Sequence, residues 1–209
     1  AAFTMEDSVG YLKAIRFAAS TAQEFEDAMA FLAAQGATSV VVDLRGNGGG
    51  YPNAVVDMVE LFLDEGQPIV YTEGKSSPRR TYKTRRRGPY VDWPVAVLVD
   101  EGSASASEIF AGAMQDNDRG VVVGRRTFGK GLVQEEFPVP GSGALRLTVA
   151  RFYTPTGRAI QKPYADYDDD FDMRLASGEL YHEDSMPLVD SLRYVTPTGR
   201  EVYGGGGIA

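Results

Sequence analysis

The sequence predicts an α/β fold. Two segments carry that prediction, "TSVVVDLRG" (Thr38–Gly46) and "PVAVLV" (Pro94–Val99). Both are short, nearly continuous apolar runs, as expected of strands covered on both faces. Each leads into a turn of small residues and then a helical pattern, and another helical pattern precedes the first. This is the alternation of an α/β layout.

The elements follow in order. "SVGYLKAIRF" (Ser8–Phe17) reads as a strand and "TAQEFEDAMAFLAAQG" (Thr21–Gly36) as a helix. In that helix Phe25, Ala28, Met29 and Leu32 share a face, Thr21 and Glu24 suggest a capping box, and Gly36 is the stop. A glycine loop, Gly46 to Gly50, follows "TSVVVDLRG", then a second helix at about Asn53–Leu63 and a strand, "QPIVYT". "PVAVLVDEGSASASEIFAGAMQDN" repeats the design of buried strand, small-residue turn and helix, and "GVVVG" is another strand. Gly143–Ile160 alternates as a long strand or hairpin, with Thr-Pro-Thr-Gly as its turn. "TPTGR" occurs at Thr154–Arg158 and again at Thr196–Arg200, which is too short for a repeat architecture and reads as two similar hairpin turns.

A length of 209 residues suits one large domain or a domain with an appendage. With 43% hydrophobic and 24% charged residues the composition is that of a globular chain. The absence of cysteine excludes disulfides, thiolate catalysis and cysteine-based zinc sites. A net charge of −8 argues against nucleic acid as a main partner. No apolar run is long enough to span a membrane, and the first residues lack the pattern of a signal peptide, so an excised domain is expected. The basic run "RRTYKTRRR" (Arg79–Arg87) and the acidic run "DYDDDFD" (Asp166–Asp172) read as solvated loops, with an anion contact and a calcium site as the functional alternatives. The acidic run lacks the glycine and distal glutamate of an EF-hand loop.

The turn "EGSASASE" has the form expected of a nucleophile. It follows a buried strand and opens a helix, whose dipole favours negative charge on a serine oxygen or its adduct. N-capping accounts for one serine, plausibly Ser103, but not for Ser103, Ser105 and Ser107 together. A Ser–His–Asp triad would need His182, the sole histidine, which sits in a distant polar segment. Without paired histidines a transition-metal site is not expected. The loop "RGNGGG" lacks both the Gly-x-Gly-x-x-Gly spacing and the lysine of a phosphate loop. Its exposed amides could instead hold a developing oxyanion, or the loop could be only a tight turn. The candidate base is Lys130, flanked by Gly129 and Gly131. A lysine is a general base only when neutral, which takes burial enough to bring an amine from about 10.4 toward about 7–8.

Taken together, "VVVDLRGNGGG", "VAVLVDEGSASASEIFAGAMQDNDRGVVVG", "RTFGKGLVQ" and "RFYTPTGRAIQ" resemble the C-terminal processing peptidases (tail-specific proteases), which are serine–lysine enzymes. The match runs in family order across about Thr38 to Gln161. The resemblance implies Ser105 as nucleophile, Lys130 as general base and Gln134 as the residue that orients the lysine. It implies oxyanion amides at Ala106 and in the glycine loop, where Gly49 is the best match among Gly48, Gly49 and Gly50. It also implies a crotonase/ClpP-like core of strand–strand–helix units with a smaller strand-rich portion, no cofactor and no metal, polypeptide substrates, and an exported, periplasmic or cell-envelope location. Family members usually carry a PDZ domain, for which this sequence has no room, so residues 1–209 are expected to be the protease core, with 162–209 as a C-terminal extension. The tail resembles longer members with a glycine-rich "GGGGI".

The leading expectation is a serine endopeptidase acting on exported proteins near their C-termini through an acyl-enzyme. The alternatives are a crotonase-type acyl-transfer enzyme and a non-catalytic binding relative, which fold alone does not separate. Homo-oligomerisation is left open.

Overall fold

The computed structural model describes residues 2–4, 6–141, 143–165, 167, 169–182 and 189–208. Eleven strands and four α-helices are described: β1 (Ala2–Thr4), β2 (Val9–Lys13), α1 (Thr21–Ala34), β3 (Ser39–Asp43), α2 (Pro52–Glu60), β4 (Pro68–Gly74), β5 (Ser77–Lys83), β6 (Val95–Val99), α3 (Ala106–Asp116), β7 (Val121–Gly124), β8 (Leu132–Val139), β9 (Gly143–Tyr153), α4 (Asp170–Ala176), β10 (Arg193–Val195) and β11 (Glu201–Tyr203). The central sheet has the order β1-β2-β3-β6-β7, with β2, β3, β6 and β7 parallel and β1 antiparallel at one edge. A second, antiparallel sheet has the order β5-β4-β9-β8, and β10 pairs with β11 alone. The α/β expectation therefore holds.

The apolar runs go where their composition demands. Val40 and Val42 of β3 and Val97 and Val99 of β6 are buried, as are Phe25, Met29 and Leu32 of α1. Phe25, Phe62 and Phe110 meet edge to face with centroids 6.1–6.3 Å apart, joining α1, the end of α2 and α3 in one core. Every residue of α3 is buried, as expected of a helix that is packed on all sides. A Cβ on Gly112 would lie 2.8 Å from Thr154 Cγ2.

Some local expectations are corrected. Strand β2 is shorter than Ser8–Phe17. The Thr21/Glu24 capping box does not form: Ser20 is the N-cap, its hydroxyl donates to Glu24 Oε1 (2.6 Å), and Thr21 Oγ1 accepts from Ala18 N–H (2.9 Å). The basic run lies largely on the edge strand β5, where Arg79 stacks over Tyr71 at 3.5 Å and Arg80 over Tyr82 at 5.0 Å; after it, Arg85 pairs with Asp57 and Glu60. In the acidic run Asp166 and Asp168 lie outside the described residues, and Asp170 pairs with Lys162 (3.1 Å). Both TPTGR segments do form the same turn. No helix among the described residues is long and apolar enough to cross a membrane.

Candidate active site

Parallel neighbours end on the same side of a sheet, and three loops are brought together by that rule. The glycine loop follows β3, the serine turn follows β6, and residues 125–131 follow β7. Because β3, β6 and β7 are adjacent, segments far apart in sequence converge. Backbone and side chain then lock them: Gly46 N–H donates to Asp100 Oδ1 (2.9 Å), Ala104 N–H to Asn47 O (3.0 Å) and Phe128 N–H to Ser103 O (3.0 Å).

The three serines separate by role. Ser103 Oγ, fully buried, donates to Leu44 O (2.8 Å) and accepts from Asp100 N–H (3.0 Å). Ser107 Oγ, also buried, donates to Asn47 O (2.8 Å). Both hydroxyls fasten the turn to the β3 side of the site, so Ser103 is not the cap. Ser105 is at the N-cap position of α3, half-buried, with φ +56° and ψ −109°. A non-glycine residue at positive φ is strained by roughly 1–3 kcal/mol and persists only where its surroundings impose it. The next amide, Ala106 N–H, has no acceptor among the described residues, as expected of a helix's first orphan donors.

The glycine loop lies against this turn. A Cβ on Gly49 (φ +95°) would lie 2.6 Å from Ala104 O, 2.7 Å from Ser105 Cβ and 2.9 Å from Ala106 N, so only glycine fits. Asn47, fully buried, organises the loop: its Nδ2 donates to Ala14 O (2.8 Å) and its Oδ1 accepts Gly49 N–H (2.9 Å). Gly49 thus touches the serine turn, but its N–H is already engaged. The amides of Gly48 and Gly50 have no acceptor among the described residues. A cleft lined by Leu12, Ala14, Ala18, Phe25 and Ala28, with Lys13, Arg16 and Glu24 among its charged walls, opens by the segment whose Phe17 N–H donates to Gly49 O (3.1 Å).

Lys130 and Ser105 are linked through a residue the sequence reading passed over. Glu108, fully buried at the start of α3, accepts from Ser105 N–H (2.8 Å), Lys130 N–H (2.8 Å), Gly129 N–H (2.6 Å) and Thr127 Oγ1 (2.6 Å). Burial pushes its carboxyl pKa up, while the four donors act in the opposite sense. The signal was present as Ser105-x-x-Glu108, a capping-box spacing, in an otherwise uncharged helix start. The glycines beside Lys130 serve close packing: a Cβ on Gly131 would lie 2.5 Å from Gln161 N, and one on Gly129 (φ +87°) 2.9 Å from Lys162 Cβ.

The side chains of the expected dyad are not joined. Lys130 is exposed, and its ammonium makes no hydrogen bond or ion pair among the described residues, so it does not bond to Ser105 Oγ in this arrangement. Gln134 is exposed on β8, beyond a register shift between Val133 and Gln134, whereas Lys130 precedes the strand. Spacing alone therefore does not put positions 130 and 134 on one face. His182 is exposed.

The end of β3 is anchored electrostatically. Asp43, buried, accepts from Arg45 Nε (3.0 Å), Nη2 (2.8 Å) and backbone N–H (2.9 Å), and from Tyr11 Oη (2.6 Å). Burial alone would raise its pKa; the Arg45 and Tyr11 bonds overcome that and hold the carboxyl far below the usual range. A depressed pKa means a stabilising contribution that is complete above the unfolded value of about 3.9 and is lost as pH falls toward the folded value. Asp43→Asn is expected to cost about 2 kcal/mol at pH 7. In urea titrations the gap between wild type and variant should narrow below about pH 4; a gap constant from pH 7 to pH 3 would contradict this account.

Three comparisons bear on the site. The model of peptidase family S41 matches residues 8–171. The chain is 41% identical over 155 residues to the carboxyl-terminal-processing protease of Synechocystis sp., covering 74% of this chain and 36% of that protein. It is 35% identical over 157 residues to the carboxy-terminal processing protease CtpA of Bacillus subtilis, covering 75% and 34%. Among solved structures it superposes on a photosystem II D1 C-terminal processing protease with TM-score 0.70 and 34% identity, covering 76% of this chain and 42% of that one. The chain thus spans about a third of the length of these curated relatives.

Proposed function

The chain belongs to peptidase family S41, and from that premise we propose that it is the catalytic core of a serine peptidase that cleaves polypeptides by acyl transfer. The observation that carries the reading is the strained, half-buried Ser105 at a helix N-terminus, beside an unengaged Ala106 amide and tied through Glu108 to the loop bearing Lys130.

In the proposed reaction Ser105 Oγ attacks a peptide carbonyl while the neutral Lys130 amine takes the hydroxyl proton. The oxygen of the tetrahedral intermediate gains negative charge and accepts from Ala106 N–H and a glycine-loop amide. Gly49 can be that second donor only if Asn47 Oδ1 releases it; Gly48 and Gly50 are already unengaged. The ammonium of Lys130 then protonates the leaving amine; water, giving a proton to the same lysine, attacks the acyl carbonyl, and Lys130 returns that proton to Ser105 Oγ as the ester bond breaks. Bound substrate covers Lys130, removing water from a side chain that is exposed without it. Gln134 orients the lysine as substrate closes over β8. The cleft beside Phe17 takes an apolar substrate side chain. The names of the relatives support action near polypeptide C-termini, and exported proteins in the periplasm or cell envelope are the proposed substrate class.

The test joins turnover to site labelling. The protein should hydrolyse an unfolded protein such as casein, and a fluorophosphonate should leave its phosphonyl group on the peptide containing Ser105, slowly, because a lysine-dependent serine is a modest nucleophile. Hydrolysis with labelling confined to another residue would reject Ser105. Neither hydrolysis nor labelling would favour the binding relative.

A further inference from the structure

The carboxy-terminal segment is fastened at both ends of the helix that carries Ser105. At the far end the two TPTGR turns sit side by side. In each, the first threonine N–H donates to the arginine carbonyl (Thr154 to Arg158, 3.0 Å; Thr196 to Arg200, 2.9 Å), and the glycine, at φ +103° or +92°, donates back to that threonine's carbonyl (2.9 Å in both). Each turn grips an aspartate near the end of α3. Thr156 N–H donates to Asp116 Oδ2 (3.0 Å), and Thr198 N–H donates to Asp118 Oδ2 (2.8 Å). Arg158 pairs with Asp116 in full burial, and Thr196 Oγ1 donates to Asp118 Oδ1 (2.8 Å).

From there the chain runs through β11 and Gly204–Ile208 to the opposite end of α3, a span of about 16 Å for an eleven-residue helix. Gly207 N–H donates to Ile160 O (3.0 Å), Thr127 N–H to Ile208 O (3.0 Å) and Ile208 N–H to Thr127 Oγ1 (2.7 Å). The glycines are what allow this approach. A Cβ on Gly206 would lie 2.5 Å from Lys162 Cα, and one on Gly207 2.7 Å from Thr127 O; both residues have positive φ. The Ile208 side chain is fully buried.

Thr127 Oγ1 is therefore used twice. Accepting from Ile208 N–H directs its own hydrogen away from the tail and onto Glu108 Oε1, and the same carboxylate receives the N–H groups of Ser105, Gly129 and Lys130. The path from tail to site is four residues long, continuous and fully buried at Ile208, Thr127 and Glu108.

We infer that Gly204–Ile208 is a positioning segment for the active site: it fixes Thr127, Thr127 fixes the Glu108 carboxylate, and Glu108 sets the separation of the Ser105 and Lys130 backbones. The inference rests on the serine–lysine reading for its catalytic consequence but not for its mechanical one. A segment that served only the general stability of the fold would affect all parts of the core alike. A positioning segment affects residues 127–130 first, and affects chemistry more than substrate binding.

The test compares the wild-type protein, a form ending at Tyr203, and full-length Thr127→Val and Thr127→Ser. Peptide hydrolysis is measured together with amide hydrogen exchange. The truncation and Thr127→Val should lower kcat about 100-fold, the scale of a small misplacement of reacting groups, with KM changed less than about twofold. Thr127→Ser, which keeps the hydroxyl, should retain most of kcat. Exchange at residues 127–130 should quicken in the truncated form and in Thr127→Val more than exchange in β3 and β6. Unchanged exchange at 127–130 overturns the inference whatever the activity. Wild-type kcat in the truncated form, with Lys130→Ala inactive, overturns it as well. Hydrolysis by Lys130→Ala would instead reject the serine–lysine reading, and the exchange data alone would then decide whether the tail holds the loop. If the truncated form does not fold, the two full-length Thr127 variants decide, because a fold that tolerates serine but loses kcat and loop protection with valine shows the hydroxyl relay at work.

Discussion

Ser105→Ala is expected to abolish peptide hydrolysis, by about 10⁴-fold or more, while leaving the fold intact. The loss is large because no other group in the converging loops can replace the nucleophile: Ser103 and Ser107 spend their hydroxyls on the carbonyls of Leu44 and Asn47. The fold survives because alanine keeps the Cβ at φ +56°, so the backbone cost is the same in both proteins, and the bond from residue 105 N–H to Glu108 remains. Casein hydrolysis, with circular dichroism and thermal unfolding as controls, checks this. Ser103→Ala is the contrasting variant: it removes a buried bond and should cost about 1–2 kcal/mol of stability while leaving the chemistry in place. Unchanged turnover in Ser105→Ala would sink the assignment, and a folded but dead Ser103→Ala would move it.

Lys130→Arg is expected to be inactive, with a loss of about 10²–10⁴-fold for removal of a general base. Guanidinium keeps the positive charge and most of the reach but does not give up its proton in proteins, so charge alone cannot rescue the reaction. The variant's stability should be close to wild type, because residue 130 is held by its backbone N–H on Glu108 and its side chain is exposed. His182→Ala should be near neutral, since that imidazole is exposed and makes no hydrogen bond or ion pair among the described residues. An active Lys130→Arg protein, or a dead and folded His182→Ala protein, would overturn the lysine mechanism.

Much of the scaffold was legible because its signals are local. Nearly continuous apolar runs marked β3 and β6, spacing along Phe25, Met29 and Leu32 marked α1, and Gly36 marked its end. The convergence of the loops was not local: it depends on β3, β6 and β7 being neighbours, which no single segment states. Glu108 was missed because a glutamate three residues after a serine at a helix start has an ordinary capping role, and only the approach of residues 127–130 gives its carboxylate three further donors. Asn47 was missed because its neighbours are glycines and attention falls on their amides. How Lys130 and Gln134 stand to each other is not legible from their spacing, because β8 starts at Leu132 and its ladder shifts register at Gln134.

The bond between Ile208 and Thr127 joins residues 81 positions apart, and proteins are made from one end. At a synthesis rate of about 5–20 residues per second, some 4–16 s separate the appearance of Thr127 from that of its partner. During that interval β2, β3, β6 and β7 already exist and can assemble, while the hydroxyl of Thr127 still lacks the amide that directs it toward Glu108. The strands and the serine turn are thus synthesised before the residue whose amide fastens Thr127.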